Sequence, residues 1–253
     1  MRSWTPAGSI DKIAGGGRER TESMSSGSDM ISGLRRLLDD LGGSHEKNID
    51  SIVRHAGIIL DGVYALYNRL DPGSGQIIAR CGYNLPAGFA RILPAAESIC
   101  HNETLSSPNT PTVIENLTET VYAEQDPNIR QFRLKFYMGH VVALNGAALG
   151  TLCIFDRKYR RASPAECNLI AILARALSIE EYRRQVETAL KDSEERFKIL
   201  FEYAPDAYYL SDLEGVLLDG NRAAESMLKV NRGELIGKNY FDLNLLSDDQ
   251  LNR

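Results

Sequence analysis

From residue 29 to residue 41 the apolar side chains Ile31, Leu34, Leu37, Leu38 and Leu41 recur at spacings of three and four, which predicts a short amphipathic helix stopped by Gly42-Gly43. The same period returns over 46–60 through Ile49, Ile52, Val53, Ala56 and Ile59, with Ser44 placed to cap the helix and its apolar face expected on a sheet. The pattern then shortens. Residues 63–70 and 76–83 flank Asp71-Pro72-Gly73-Ser74-Gly75, a run of turn formers, and read as a hairpin. A second hairpin is expected over 136–155. Its first strand runs through Val141 and Val142 into Asn145-Gly146, a pair that tolerates positive φ, and Leu149 to Phe155 returns as a buried strand. Gly150 in that return predicts close approach of a neighbouring backbone, and Asp156 opens a charged turn through Arg161. Between the hairpins, 85–134 keeps no steady period. A helix at 97–104, a strand at 111–117 and a loop through Asp126-Pro127 are its readable pieces, and such a stretch is expected to cover one face of the sheet, where ligand pockets form.

The last long element is a helix over 163–202, opened by Ser163. Leu169, Ile172, Ala176, Ile179, Arg183, Val186, Leu190, Ser193, Phe197 and Leu200 alternate spacings of three and four, so eight of ten seam positions are apolar. Glu180 with Arg184 and Arg183 with Glu187 add pairs one turn apart. The first turns are expected to pack on their own domain. Beyond Arg183 the stripe predicts a parallel dimeric coiled coil, so that the helix 163–202 makes a homodimer, with Arg183 and Ser193 weakening the seam and either setting its register or leaving it poised between two packings.

The closing hairpin also carries a resemblance. Tyr137-Met138-Gly139, then Gly150-Thr151-Leu152-Cys153, two apolar residues, Asp156 and a basic turn are similar to one bacterial branch of the GAF domains. Ser98-Ile99-Cys100-His101, Thr112-Val113-Ile114 and Tyr122-Ala123-Glu124 with Asp126-Pro127 occur upstream in that branch's order. The likeness covers residues 45 to 185. Further on, the run from Ser193 to Glu202, then Ala204-Pro205-Asp206-Ala207, a strand over 208–212, a turn at Leu213-Glu214-Gly215, a strand over 216–219, a helix over 222–228 capped by Asn221, and Glu234-Leu235-Ile236-Gly237-Lys238 resemble the front of a PAS domain. The expected fold class is α+β: a GAF antiparallel sheet with flanking helices, a long signalling helix, and a partial PAS domain. The expected organisation is a disordered segment over 1–28, a GAF domain over 29–182, a linker helix over 183–202, and a truncated PAS domain over 203–253. The later PAS helix and strands have no counterpart before Arg253, so the chain reads as a fragment or the product of an interrupted gene.

Composition narrows the chemistry. Of 253 residues 43% are hydrophobic, enough for one or two cores that could enclose a small ligand. The net charge of -5 argues against a nucleic-acid partner, which needs a basic face, and the cluster Arg157, Lys158, Arg160, Arg161 reads as a solvated turn. No apolar run is long enough to span a bilayer, no signal peptide opens the chain, and a cytoplasmic location is the simplest expectation. Cys81, Cys100, Cys153 and Cys167 lack metal or disulfide spacing and are expected as reduced thiols, Cys100 as a structural one. His45, His55, His101 and His140 lie too far apart in sequence for a metal set.

No catalytic motif is found. Bilin attachment would need a cysteine over 128–137, where none lies, and neither the cyclic-nucleotide signature of some GAF domains nor the cysteine set of the GAF methionine sulfoxide reductases is present. The resemblance implies a sensory input region, of a histidine kinase first and of a diguanylate cyclase or phosphodiesterase second; a ligand-free GAF dimerisation module is the competing reading. The ligand or cofactor is not readable. Strand and loop position alone nominate Tyr67, Cys100, Tyr122, Tyr137 and His140 as pocket residues.

Overall fold

The computed structural model describes Thr21–Glu22 and residues 27–239. Most of the segment expected to be disordered, and the chain from 240 on, lie outside the described residues. Strand β1, Thr21–Glu22, pairs in parallel with β8, Arg160–Arg161. The chain divides into two compact units between Arg183 and Arg184.

The first unit is built on a six-stranded antiparallel sheet. Its strands are β2 (Tyr64–Asp71), β3 (Gln76–Tyr83), β4 (Ile92–Pro94), β5 (Thr112–Ile114), β6 (Phe136–Leu144) and β7 (Ala147–Asp156), in the order β4-β3-β2-β7-β6-β5. The β6–β7 turn forms where expected, with Asn145 at φ 50° and Gly146 at φ 82°. Gly150 lies opposite Arg69 at the β2–β7 pairing, and a Cβ there would sit 1.8 Å from the backbone oxygen of Asn68. Absence of a side chain is therefore what lets the two central strands pair at this point.

One face of the sheet carries the helices α1 (Gly27–Asp40), α2 (His45–Ile59) and the start of α5 (Pro164–Glu202). Ile52, Val53 and Ala56 of α2 pack with Leu169, Ile170, Leu173 and Leu177 of α5 on Phe136, Met138, Leu152 and Ile154. Ser44 caps α2 by accepting a hydrogen bond from the Lys47 amide. Helix α1 departs from its predicted stripe: Ile31 and Leu38 are exposed, while Met30, Gly33 and Leu37 are buried. The reason is a close α1–α2 crossing at Gly33, where a Cβ would meet Ile59 at 2.5 Å. That crossing turns the stripe by part of a turn.

The other face lies under the irregular middle of the chain. Here the sequence reading needs correction. The helix expected at 97–104 is a 3₁₀ turn, Ala95–Glu97, followed by a π-helical turn, Cys100–Leu105. The expected loop at Asp126-Pro127 is two helices, α3 (Tyr122–Gln125) and α4 (Pro127–Phe132), with Asp126 as N-cap and Pro127 at the first helical position.

The basic turn is corrected as well, because Arg160 is buried. Its guanidinium donates to the carbonyls of Leu60 at 2.9 Å and Asp61 at 3.0 Å, pairs with Glu166, lies 3.6 Å from Asp156 and covers the Phe136 ring at 4.9 Å. Glu166 also accepts from the Ser163 amide at 2.7 Å while the Ser163 hydroxyl accepts from the Glu166 amide, a reciprocal capping box. The start of α5 is thereby anchored to the end of α2.

In the second unit, β9 (Tyr209–Ser211) and β10 (Leu217–Gly220) pair antiparallel and lead to α6 (Arg222–Leu228) and α7 (Arg232–Leu235). Fully buried Asn221 caps α6 through the Ala224 amide at 3.0 Å, accepts from the Tyr208 amide at 3.0 Å and donates to the Asp206 carbonyl at 2.8 Å. One side chain thus holds the strand, the preceding loop and the helix. Among the described residues no helix is long and apolar enough to cross a membrane.

Candidate functional site

The cover and the sheet face beneath it bury a polar cluster inside an apolar frame. Alternation along the strands points Leu66, Asn68, Tyr137, Thr151 and Cys153 toward the cover, where they meet Cys100 and Thr104 of the π-helical turn. Cys100 and Cys153 lie 53 residues apart in sequence, yet their sulfurs are 3.6 Å apart. Asn68 donates from Nδ2 to both, at 3.2 and 3.4 Å. The Tyr137 hydroxyl lies 3.5 Å from the Cys100 sulfur and 2.5 Å from the Thr104 hydroxyl. A π-turn at such a place fits the tendency of these irregularities to occur at functional sites.

The Tyr-x-Gly spacing gains a physical meaning here. Gly139 follows Tyr137 by two positions on the same strand face, and a Cβ on it would come within 2.3 Å of the Tyr137 hydroxyl and 2.8 Å of the Thr104 oxygen. The glycine leaves the room into which the phenol lies.

Electrostatics separate the two thiols. Hydrogen bonding from Cys153, with the Tyr137 hydroxyl adding to it and the Thr151 hydroxyl facing the same sulfur, pulls the Cys100 thiol down despite its burial. Burial pushes Cys153 and Tyr137 well up. Asp126, which caps α4 through the Asn128 amide at 2.9 Å, is raised to about 6 by burial. Asp126, Asn68, Ser98 and Cys100 share a cavity of about 20 Å³. That is room for a single water, against about 300–1,000 Å³ for a drug-sized ligand. A wider depression of about 680 Å³ lies elsewhere, beside α2 and the end of β3, and holds the Arg54–Asp40 ion pair.

Of the five nominated residues, the structure gathers three. Cys100 and Tyr122 of the cover and Tyr137 of the sheet share the core between the two layers, Tyr122 donating to Glu103 at 2.9 Å. Tyr67 and His140 do not belong with them. Tyr67 is buried on the helix-bearing face, donating to Glu181 of α5 at 2.9 Å, and His140 is offset by one from Gly139, toward the same helix side, with Nδ1 at 2.9 Å from the Val141 carbonyl. The reason is the period of two: Tyr64 to Tyr67 is apolar on both faces, so the sequence offered no sign of which face the helices cover. Asn68, Thr104, Thr151 and Cys153 were missed. The Gly-Thr-Leu-Cys run was the available signal, since it puts Thr151 and Cys153 on one face, but only register across three strands brings Cys100 to them.

Comparison with known proteins agrees with this architecture. Residues 180–252 match the family model of the PAS fold. No curated protein matches the chain. Among solved structures it is similar to the GAF domain of a phosphoenolpyruvate-protein phosphotransferase from Coxiella burnetii, at 16% identity over 64% of this chain and 98% of that one, with a TM-score of 0.55. It is similar at 11% identity to the phycoerythrobilin-bound GAF domain of a cyanobacterial phytochrome, over 64% of this chain and 100% of that one, with a TM-score of 0.53. A free methionine-R-sulfoxide reductase from Neisseria meningitidis, solved with its substrate, aligns at 11% identity over 62% of this chain and 89% of that one, with a TM-score of 0.50. At these identities the likeness speaks for the fold and not for the ligand. The chain thus has a GAF-like fold, followed by a stretch that matches the PAS fold.

Proposed function

We propose that this chain is the input region of a signal-transduction protein, in which a change beneath the cover of the GAF sheet is passed by β2 to α5, and α5 relays it as one helix of a homodimer. The observation that carries this reading is the clamp between Tyr67 and Glu181. Leu66 and Asn68 of β2 touch the cover cluster, and Tyr67 between them reaches through the other face to Glu181, which also lies 3.7 Å from Arg69. Glu181 sits in the last buried turn of α5. Any shift of β2 against its neighbours is therefore felt at one point of the helix, the kind of small displacement that biases an element with two packings.

The homodimer is supported by what α5 leaves uncovered. Leu169 is taken up by the core of its own unit, and Ile172, Ile179, Val186, Leu190, Phe197 and Leu200 remain exposed at heptad spacings. Arg183 within the stripe pairs back to Glu180 at 3.2 Å. The variant Ile179→Glu tests the reading: Ile179 is half-exposed and outside the core, so the unit keeps its fold while the seam gains a buried charge. Sedimentation of the full chain is expected to show a dimer weakened at least tenfold, with loss of helix signal from α5. Unchanged association together with unchanged helix content removes the proposal.

The output that such an input governs, a histidine kinase first and a cyclic-di-GMP cyclase or phosphodiesterase second, is proposed from the GAF and PAS order alone. A cytoplasmic location accompanies it. The small cavity favours a second reading, a GAF dimerisation module that takes no small molecule. Thermal shift separates the two: a ligand raises Tm by mass action, whereas a filled core responds to none.

A further inference from the structure

We propose that Cys100 and Cys153 are an oxidant-responsive dithiol, which hydrogen peroxide closes into a disulfide joining the cover to the centre of the sheet. Geometry carries the proposal. The sulfurs are 3.6 Å apart and need to approach by about 1.5 Å to bond. They belong to different layers, Cys100 to the first turn of the π-helical segment and Cys153 to β7 between β2 and β6, so the bond would fix the cover on the sheet.

The surroundings suit a nucleophilic Cys100 and a resolving Cys153. Cys100 faces the Asn68 amide and the Tyr137 hydroxyl, and the Thr151 hydroxyl, which is buried with no hydrogen-bond partner among the described residues, also favours its charged form. A thiolate or sulfenate at Cys100 supplies Thr151 with the acceptor it lacks. Cys153 keeps its proton, its sulfur lying 3.6 Å from the Cys100 sulfur and 3.7 Å from the Leu66 carbonyl. Access is limited by size: the cavity at Cys100 is about 20 Å³, which favours hydrogen peroxide, the smallest of the peroxides, and excludes bulky hydroperoxides.

The chemistry balances without a cofactor. The Cys100 thiolate attacks one peroxide oxygen, an S–O bond forms as the O–O bond breaks, and the departing hydroxide leaves as water with the proton that Cys100 gave up. The Cys153 sulfur then attacks the sulfenic sulfur; the S–S bond forms, the S–O bond breaks, and a second water leaves with the Cys153 proton. Two thiols are oxidised, one peroxide is reduced to two waters, and a dithiol reductant reverses the change.

As chemistry this stands apart from the sensory reading; as a signal it rests on it. The test treats the full chain with hydrogen peroxide, maps disulfides by mass spectrometry and follows Tm and hydrogen exchange of α5. The expected result is loss of the mass of two hydrogens, a bond mapped to Cys100 and Cys153, and a Tm higher by roughly 10 °C, reversed by dithiothreitol. Cys153→Ser is expected to stop at a dimedone-reactive sulfenic acid on Cys100. Retention of both thiols, or oxidation confined to Cys81 and Cys167, overturns the proposal. A disulfide that forms while α5 exchange stays the same upholds the dithiol and overturns the sensory reading.

Discussion

Gly150→Ala is expected to abolish the folded first unit. The added methyl would lie 1.8 Å from the Asn68 carbonyl oxygen and 2.9 Å from the Arg69 Cα, both backbone atoms of the facing central strand. A flexible side chain could turn aside, but backbone in mid-sheet cannot, so β2 and β7 must part. The cost exceeds the roughly 4–5 kcal/mol that marks exceptional substitutions. Circular dichroism and soluble yield check this. A variant that melts within a few degrees of the parent would show that the strands can separate locally at little cost.

The second large effect is at Glu166. Glu166→Ala leaves the Arg160 guanidinium buried beside the carbonyls of Leu60 and Asp61 with its nearest carboxylate gone, and it removes one half of the capping box. Breaking a buried pair from one side costs about 3–5 kcal/mol, which lowers Tm by roughly 10–15 °C in a domain of this size. Glu166→Gln keeps an oxygen for the Ser163 amide and loses only the charge, so its Tm should fall between the two. Because both side chains are almost fully buried, added salt should change these differences little. Equal melting of all three proteins would show that Arg160 is held by the carbonyls alone.

Local signals in the sequence carried far, because they depend on a few adjacent residues. Asn145-Gly146 specified its turn, Ser44 and Asn221 their caps, and Ser163 the start of α5. What stayed hidden depends on distant pairing. Arg160 sits in a run that reads as solvated, and only the return of α2 beneath the turn buries it. Asp126-Pro127 is a helix start by its chemistry, but the surrounding stretch has no period to announce a helix. The dithiol needs the register of β2, β7 and β6 plus the placement of the cover, none of which spacing can supply. Tyr67 and His140 lie on the helix-bearing face, and strands apolar on both sides lose the alternation that would have told that face from the covered one.

The same alternation gives the account its central claim. A strand touched by the cover cluster on one side and clamped to α5 on the other can carry a change between them. Hydrogen–deuterium exchange across α5 in the full chain, wild type against Tyr67→Phe, tests this most directly. The substitution removes only the hydroxyl that Glu181 accepts from, and leaves a buried carboxylate oxygen short of a donor, a loss of about 1–3 kcal/mol. The account predicts faster exchange from Ser178 through the turns beyond Arg183, with the cover segment at Cys100–Leu105 unchanged. Exchange beyond Glu181 that is the same in both proteins would contradict it.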